Sequence, residues 1–393
     1  MGIYVNSGDA GFRISIQSEI YVDKTELIKQ TNRFINTNQR YICISRPRRF
    51  GKTMAVQMLT AYYEKDHDAS ALFAPYKIAK SSCYKKHLNQ YNVIVLNMQN
   101  FLSITDTMEE MLHELQSRVV KELKKMYQDI LSNDIWYLRD ALQIIYNETK
   151  ENFIIIIDEW DCVLREKQND IEEHKKYLDF LRDLLKDQNY VALAYMTGIL
   201  PIKKYGTHSA LNMFSEFSML SPKAFTEYIG FTEEEVQELC EQYQMDFNKM
   251  KSWYDGYTFK KEAHVYSPKS VVEALLAEEF DNYWNQTETY EALKKYIDLN
   301  FDGLKDAVIQ MLTGGRVKIN SKLFHNDMTT FKSKDDVLTL LVHLGYLAYD
   351  SESSQVFIPN SEITSEFENA IQGGGWEEVV YALEQSEKLL QAL

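Results

Sequence analysis

The 393-residue chain is short of cysteine, of long apolar runs and of positive charge, and each shortage removes a class of protein. Its four cysteines, Cys43, Cys83, Cys162 and Cys240, lie far apart. That spacing suits neither a disulfide framework nor a metal-ligand set, and reads as reduced thiols in a cytoplasmic protein. No stretch of 18 apolar residues occurs, so no membrane span is expected, and residues 1–9 lack the basic start and apolar run of a secretory leader. With 43 Lys and Arg against 58 Asp and Glu, the formal net charge of −15 argues against a wholly basic nucleic-acid surface and leaves only a local patch to that role. A 45% hydrophobic, 26% charged composition is that of a folded chain, long enough for two or three domains.

One stretch departs from this background. Residues 41–44 read as a short apolar strand, 45–53 as a turn, and the chain from Lys52 as a helix with Met54, Val56, Met58 and Leu59 on or near its inner side. The turn closes on Gly51-Lys52-Thr53, the last three residues of a phosphate-binding loop. A helix N-terminus offers unpaired N–H groups and a positive dipole end to an anion. Gly51 lets the backbone come close, Lys52 reaches the β and γ phosphates, and Thr53 offers a hydroxyl to magnesium. The first glycine of the usual consensus is missing, and Arg46 stands in its place. Even so, Arg46, Arg48, Arg49 and Lys52 fall within seven residues of an acidic chain. Cations at a helix N-terminus oppose its dipole and make sense chiefly beside an anion, a solvated basic turn being the plain alternative.

The second decisive run is Phe153-Ile154-Ile155-Ile156-Ile157-Asp158-Glu159. Unbroken apolar residues mark a strand buried on both faces of a parallel sheet, and ligands gather where such strands end. Asp158 is the natural partner of magnesium there, and Glu159 the candidate base that orients or deprotonates an attacking water. Residues 92–97 and 190–196 are further strands, the latter ending in Thr197, whose hydroxyl suits sensing of the γ phosphate through that water or simply a turn. Lys203 and Lys204 follow, fit to face the phosphates or a neighbouring subunit, or to lie in a solvated turn. Helices are expected over 26–36, 105–127, 134–149 and 170–187, while Phe12, Ile14 and Ile16 alternate in a preamble whose default role is core packing.

From Pro222 helices dominate. Thr232 with Glu235 three residues on signals a capped helix start, 254–259 an aromatic-flanked turn, and 269–280 a helix, together a unit sized to fold back over a nucleotide. From 301 the order of helix 304–312, strand 317–319, helix 334–344 and hairpin 346–349 with 356–358 is that of a winged helix. Its few basic residues (Arg316, Lys318, Lys322, Lys332, Lys334) favour an internal regulatory or packing module, leaving a DNA or protein partner and a homo-oligomer as open alternatives. Gly373-Gly374-Gly375 reads as a linker before a last helix. The expected class is α/β: a P-loop NTPase parallel sheet with helices on both faces (1–221), a helical lid (222–300), a winged-helix-like domain (301–372) and a C-terminal linker and helix (373–393).

These stretches resemble the predicted AAA-ATPase-like proteins of bacteria and archaea, which commonly carry a C-terminal PD-(D/E)XK nuclease-like domain. The resemblance runs through Tyr21-Val22-Asp23-Lys24-Thr25, the loop 45–53, Ile157-Asp158-Glu159-Trp160-Asp161, Thr197-Gly198, 254–259 and Val265-Tyr266-Ser267-Pro268. In that family arginine in place of the first loop glycine looks like the norm. The resemblance implies an ATPase with sheet, lid and winged helix, and Pro268 looks like the lid residue that touches nucleotide. No strand bearing an Asp and Glu-x-Lys set follows residue 370, so nuclease chemistry is not expected of this chain. The combined expectation is ATP or ADP with Mg2+ on Arg46, Pro47, Arg48, Arg49, Phe50, Gly51, Lys52 and Thr53, metal on Thr53 and Asp158, and catalysis by Glu159, Lys52 and Thr197. Arg48 or Arg49 contacts phosphate or acts across a subunit boundary. The rivals are a nucleotide-gated switch with negligible turnover, a nucleic-acid-binding module, and a structural protein with a relic loop.

Overall fold

Runs of buried β-branched residues set the architecture. The computed structural model describes residues 2–168, 170–202, 210–259, 263–284, 290–299, 301–324 and 331–372. Lys203, Lys204 and the 373–393 linker and helix lie outside the described residues. Strands β1 (Tyr41–Ser45), β2 (Asn92–Asn97), β3 (Phe153–Asp158), β4 (Val191–Gly198) and β5 (Ser215–Phe217) form one parallel sheet in the order β2-β3-β4-β1-β5. Every residue of β1, β3 and β4 is buried, as helices on both faces require.

Alternation along the strands divides the core. Ile42, Ile44, Ile154 and Ile156 pack with Val56, Leu59 and Tyr63 of the helix Lys52–Tyr63, whereas Cys43, Ile155, Ile157 and Met196 pack with Leu115, Leu142 and Leu181 of the helices Met108–Met126, Leu138–Thr149 and Ile171–Leu185. Burying the four isoleucines of β3 contributes roughly 6–12 kcal/mol gross, comparable with the net stability of a domain. The strand end is therefore a fixed point, able to hold a carboxylate out of water. Register aligns Asn97, Asp158, Thr197 and Ile44 across the carboxyl edge of the sheet.

Several local expectations are corrected. The alternation of Phe12, Ile14 and Ile16 belongs to no extended segment: Ala10–Ile16 is a helix burying Phe12 and Ser15, three apart, with Ile14 exposed. Met54 is likewise turned outward, since Lys52, Val56, Leu59 and Tyr63 form the inner stripe. The 26–36 helix stops at Asn32, where a tighter turn takes over through Arg33 N to Gln30 O.

The 222–300 region is less purely helical than its composition. Thr232 and Glu235 do form a reciprocal capping box on the helix Glu233–Tyr243. The aromatic turn, however, is strand β7 (Tyr257–Phe259), which with β6 (Phe231–Thr232) and β8 (Ala263–Tyr266) makes an antiparallel sheet ordered β6-β8-β7. The following helix is Pro268–Ala277, with Pro268 at its start where a missing N–H costs nothing. Beyond it, the helices Leu304–Leu312 and Lys334–Leu344 flank β9 (Val317–Lys318), and β10 (Ala348–Asp350) and β11 (Gln355–Phe357) complete a second antiparallel sheet, β10-β11-β9.

Residues from both C-terminal regions press on the loop at the end of β1. Tyr257 Oη donates to Gly345 O at 2.5 Å, and a Cβ on Gly345 (φ 91°) would sit 2.8 Å from the Pro47 ring. Glu362 on the helix Ser361–Gln372 stitches this half together, accepting from Tyr283 N (3.0 Å), Trp284 N (3.0 Å) and Ser270 Oγ (2.9 Å). Burial, with Glu366 adding, pushes its pKa up to about 8. Between the ordinary carboxylate range and that value the folded chain holds the proton that the unfolded chain has released, so stability falls as pH rises through this window. Glu362→Gln keeps the acceptor and removes the charge. The fall in unfolding free energy between pH 5.5 and 8.5 is therefore expected to be smaller in the variant than in the wild type, by an amount on the order of a few kcal/mol, with a correspondingly smaller fall in Tm. Identical Tm-versus-pH curves would refute this.

Candidate functional site

The site grows from the exit of β1. Two left-handed residues, Arg49 (φ 68°) and Gly51 (φ 87°), turn the chain back so that the helix Lys52–Tyr63 starts beneath the loop. At Gly51 this backbone angle, not crowding, calls for glycine: an added Cβ would meet nothing within 4 Å. The helix has no side-chain cap and no acidic residue in its first turn, so its leading N–H groups and positive dipole end stand open.

Around this opening the predicted residues converge. Thr53 Oγ1 donates to Asp158 Oδ2 at 2.9 Å, joining loop to strand end. Asp158 Oδ1 accepts from Glu159 N at 3.0 Å. Burial first, and the Glu159 charge second, raise the Asp158 pKa to about 6 against the opposing Thr53 hydrogen bond and Lys52 charge. Thr197 lies beside Asp158 in register, and its Oγ1 is buried with no hydrogen-bond partner among the described residues. Lys52 is also buried: Nζ donates to Arg46 O (3.0 Å) and Pro47 O (2.7 Å), and desolvation lowers its pKa while Glu159, Asp158 and Asp161 oppose. Glu159 itself adopts φ 52°, a bend that parts the two consecutive carboxylates, Asp158 toward Thr53 and Glu159 toward the cleft.

A cavity of about 540 Å³ opens over the loop. Arg48, Arg49, Gly51, Lys52, Thr53 and Glu159 line one end. The other is walled by Ile20, Tyr21 and Val22 of the N-terminal segment and by Phe231, Pro268 and Val272. Lys24 ties these walls together, paired with Glu235 and donating to Glu227 O at 2.7 Å. A cationic, N–H-rich end joined to an apolar end suits a ligand with a polyanionic tail and a flat apolar head. The N-terminal wall was no part of the residue-level site prediction. Its signal is the Tyr21 to Thr25 run, a family mark within a preamble whose place just upstream of the loop suits packing near a nucleotide base but whose default role is core packing.

Arg46 corrects the charge argument. Its side chain is fully buried away from the cavity, donating from Nη1 to Ser45 O (3.0 Å) and Phe217 O (3.3 Å) and from Nη2 to Phe225 O (3.3 Å), with burial lowering its pKa to about 10. It crosslinks β1, β5 and the turn after β5. Pro47 packs on Gly345, so Arg46 and Pro47 brace the loop, whereas Arg48, Arg49, Phe50, Lys52 and Thr53 line the cavity, Phe50 also meeting Tyr257 edge-on at 5.5 Å. Restoring the consensus by Arg46→Gly is therefore expected to cost roughly 2–4 kcal/mol, because three buried carbonyls lose their donor. Urea denaturation checks it; an unshifted midpoint refutes it.

Arg165, on the helix Cys162–Glu166, is a residue that sequence reasoning missed. Its Nη2 meets Glu159 Oε2 at 2.6 Å and its Nε meets Asp161 Oδ2 at 3.1 Å. An Asp-x-x-x-Arg spacing directly after Asp158-Glu159 was the available sign. Among the described residues no group of three or more His, Cys, Asp or Glu could hold a metal ion, and no helix is long and apolar enough to cross a membrane.

Residues 12–208 match the family described as Predicted AAA-ATPase. A curated relative from Azotobacter chroococcum, described as an uncharacterized protein in the vnfD 5′ region, is 28% identical over 145 residues, 35% of this chain. That match spans only 28% of the relative's length. Among solved structures, the Aeropyrum pernix ORC2 protein in its ADPNP–ADP complexes aligns with a TM-score of 0.36 at 10% identity, covering 93% of each chain. Cdc6p from Pyrobaculum aerophilum aligns with a TM-score of 0.31 at 9% identity, covering 93% of this chain and 98% of its own. Likeness this remote fixes neither site nor ligand.

Proposed function

The chain belongs to the predicted AAA-ATPase family, and from that premise we propose that it binds ATP with magnesium and hydrolyses it to ADP and phosphate. The carrying observation is the 2.9 Å contact between Thr53 and Asp158 beneath an uncapped helix start that also carries Lys52. A hydroxyl and a desolvated carboxylate side by side are hard oxygen donors of the kind Mg2+ takes together with phosphate oxygens and water. Thr53 and Asp158 would hold that ion, which when bound neutralises charge on the β and γ phosphates.

In this reading the first N–H groups of the helix and Lys52 Nζ take the phosphate tail, Lys52 exchanging its carbonyl partners for phosphate oxygens. Arg48 and Arg49 add positive charge at the mouth. Glu159 aligns the attacking water and Thr197, beneath Asp158, monitors the same region. Pro268 and Phe231 close over the base and sugar. The 222–300 unit acts as the lid and 301–372 as a winged-helix-like module, a reading supported by the pairing of β9 with β11. The contacts of Gly345 with Pro47 and Tyr257 give nucleotide state a direct path to that module, which would present it to a DNA or protein partner. On cysteine spacing alone we assign the activity to the cytoplasm.

A second reading, a nucleotide-gated switch with negligible turnover, draws on the way Lys52 is docked on its own loop. One titration separates the two: ATP, GTP and ADP are added with Mg2+ to the purified protein while binding and phosphate release are followed. Multiple turnovers support the enzyme; tight binding without release supports the switch; no binding of any of the three rejects both.

A further inference from the structure

We infer that Arg165 is a positioning residue for the proposed hydrolysis: it grips one carboxylate oxygen of Glu159 and leaves the other for the attacking water. This rests on the ATPase reading and names a residue that reading does not need. A glutamate at a strand end has three rotatable side-chain bonds, and Glu159 is 25% exposed at the cavity, so nothing in its own backbone fixes its carboxylate. Arg165 does so, through Nη2 to Oε2 at 2.6 Å, while Oε1 accepts no hydrogen bond from the described residues.

The grip is useful only if Arg165 is itself immobile. Its side chain is 9% exposed and its Nε is fastened to Asp161 Oδ2. Asp161 is wholly buried and its Oδ2 also accepts from Ile199 N (3.1 Å) and Leu200 N (2.8 Å), directly after β4. Gly198 between Thr197 and these amides is pressed against the same carboxylate, since a Cβ there would lie 2.4 Å from Asp161 Oδ1. Glu159 is thereby referenced to the end of β4, the strand that carries Thr197.

Charge placement supports the same role. Glu159 is the foremost carboxylate acting on Lys52, and a free glutamate beside that ammonium would compete with phosphate for it. Arg165 pairs with Glu159 directly, whereas Lys52 makes its own hydrogen bonds to Arg46 O and Pro47 O, so the ammonium is left to the ligand. The task needs a fork, Nε to one carboxylate and Nη2 to another, which a lysine ammonium cannot reproduce in the same geometry.

The test compares wild type, R165M, R165K, E159Q and the double variant R165M/E159Q in Mg-ATP turnover, ADP binding and Tm. R165M is expected to lower kcat roughly 30- to 100-fold, with KM and ADP affinity within about threefold of wild type. R165K is expected to recover part of the loss, and R165M/E159Q to be no slower than E159Q alone, because Arg165 acts only through Glu159. If R165M does not fold, R165K carries the comparison: kcat lowered about 5- to 10-fold at unchanged KM supports the inference. Wild-type kcat in R165M or R165K, or a further loss in the double variant equal to that of R165M alone, overturns it while leaving the ATPase reading intact. A wild type that binds ATP and releases no phosphate overturns both.

Discussion

Lys52→Ala is expected to raise the Kd for Mg-ATP by about 100-fold while leaving the chain folded. A charge-assisted contact to a phosphate tail is worth on the order of 3 kcal/mol, which is that factor in affinity. The fold does not need the ammonium. Nζ is buried against two carbonyls of its own loop, and burial already depresses its pKa, so alanine removes a desolvated charge together with its two hydrogen bonds. Relief of the desolvated charge offsets only part of the cost of leaving Arg46 O and Pro47 O without that donor, so Tm without ligand should fall by a few degrees while the chain stays folded. Saturating ATP should raise the Tm of wild type by mass action and that of the variant far less at the same concentration. Thermal shift with calorimetric titration reads both. A folded variant with wild-type affinity would remove the phosphate-binding role of the loop altogether.

What was legible in the sequence was whatever one segment settles alone. The run 153–159 is a strand because four isoleucines in line leave no polar face, and its last residues must then lie at a sheet edge. Gly51-Lys52-Thr53 opens a helix because glycine takes the left-handed turn and no cap competes for the free N–H groups. Thr232 and Glu235 cap their helix for equally local reasons. Joined, these elements bring Lys52, Thr53, Asp158, Glu159 and Thr197 to one edge, as their spacing implied.

The misses are contacts between distant segments. Arg46 lies among cations in the sequence and was grouped with them. Its partners, Phe217 O and Phe225 O, are 171 and 179 residues away, and nothing near Arg46 announces them. Strand β7 is three residues long and, among the described residues, pairs with β8 alone, too short for a period to emerge. Arg165 escaped because an arginine on a five-residue helix looks like solvated surface until the bend at Glu159 turns the carboxylate toward it. The apolar end of the cavity was similarly hidden, being shared by the N-terminal segment and two pieces of the 222–300 region.

Glu159→Gln should separate binding from chemistry. Glutamine has nearly the same volume and can still accept from Arg165, so the local geometry is kept, whereas its neutral amide cannot take a proton from water or orient it as strongly. Loss of such a group typically costs about 10²- to 10⁴-fold in rate, and kcat for phosphate release should fall within that range while Kd for ATP stays within about threefold. Asp158→Asn is the informative contrast, because it removes the carboxylate that Thr53 contacts and should weaken Mg-ATP binding itself. If Glu159→Gln turned over ATP at the wild-type rate, the water would be aligned by another group. If it lost ATP binding as Lys52→Ala is expected to, Glu159 would belong to the binding surface and not to the reaction.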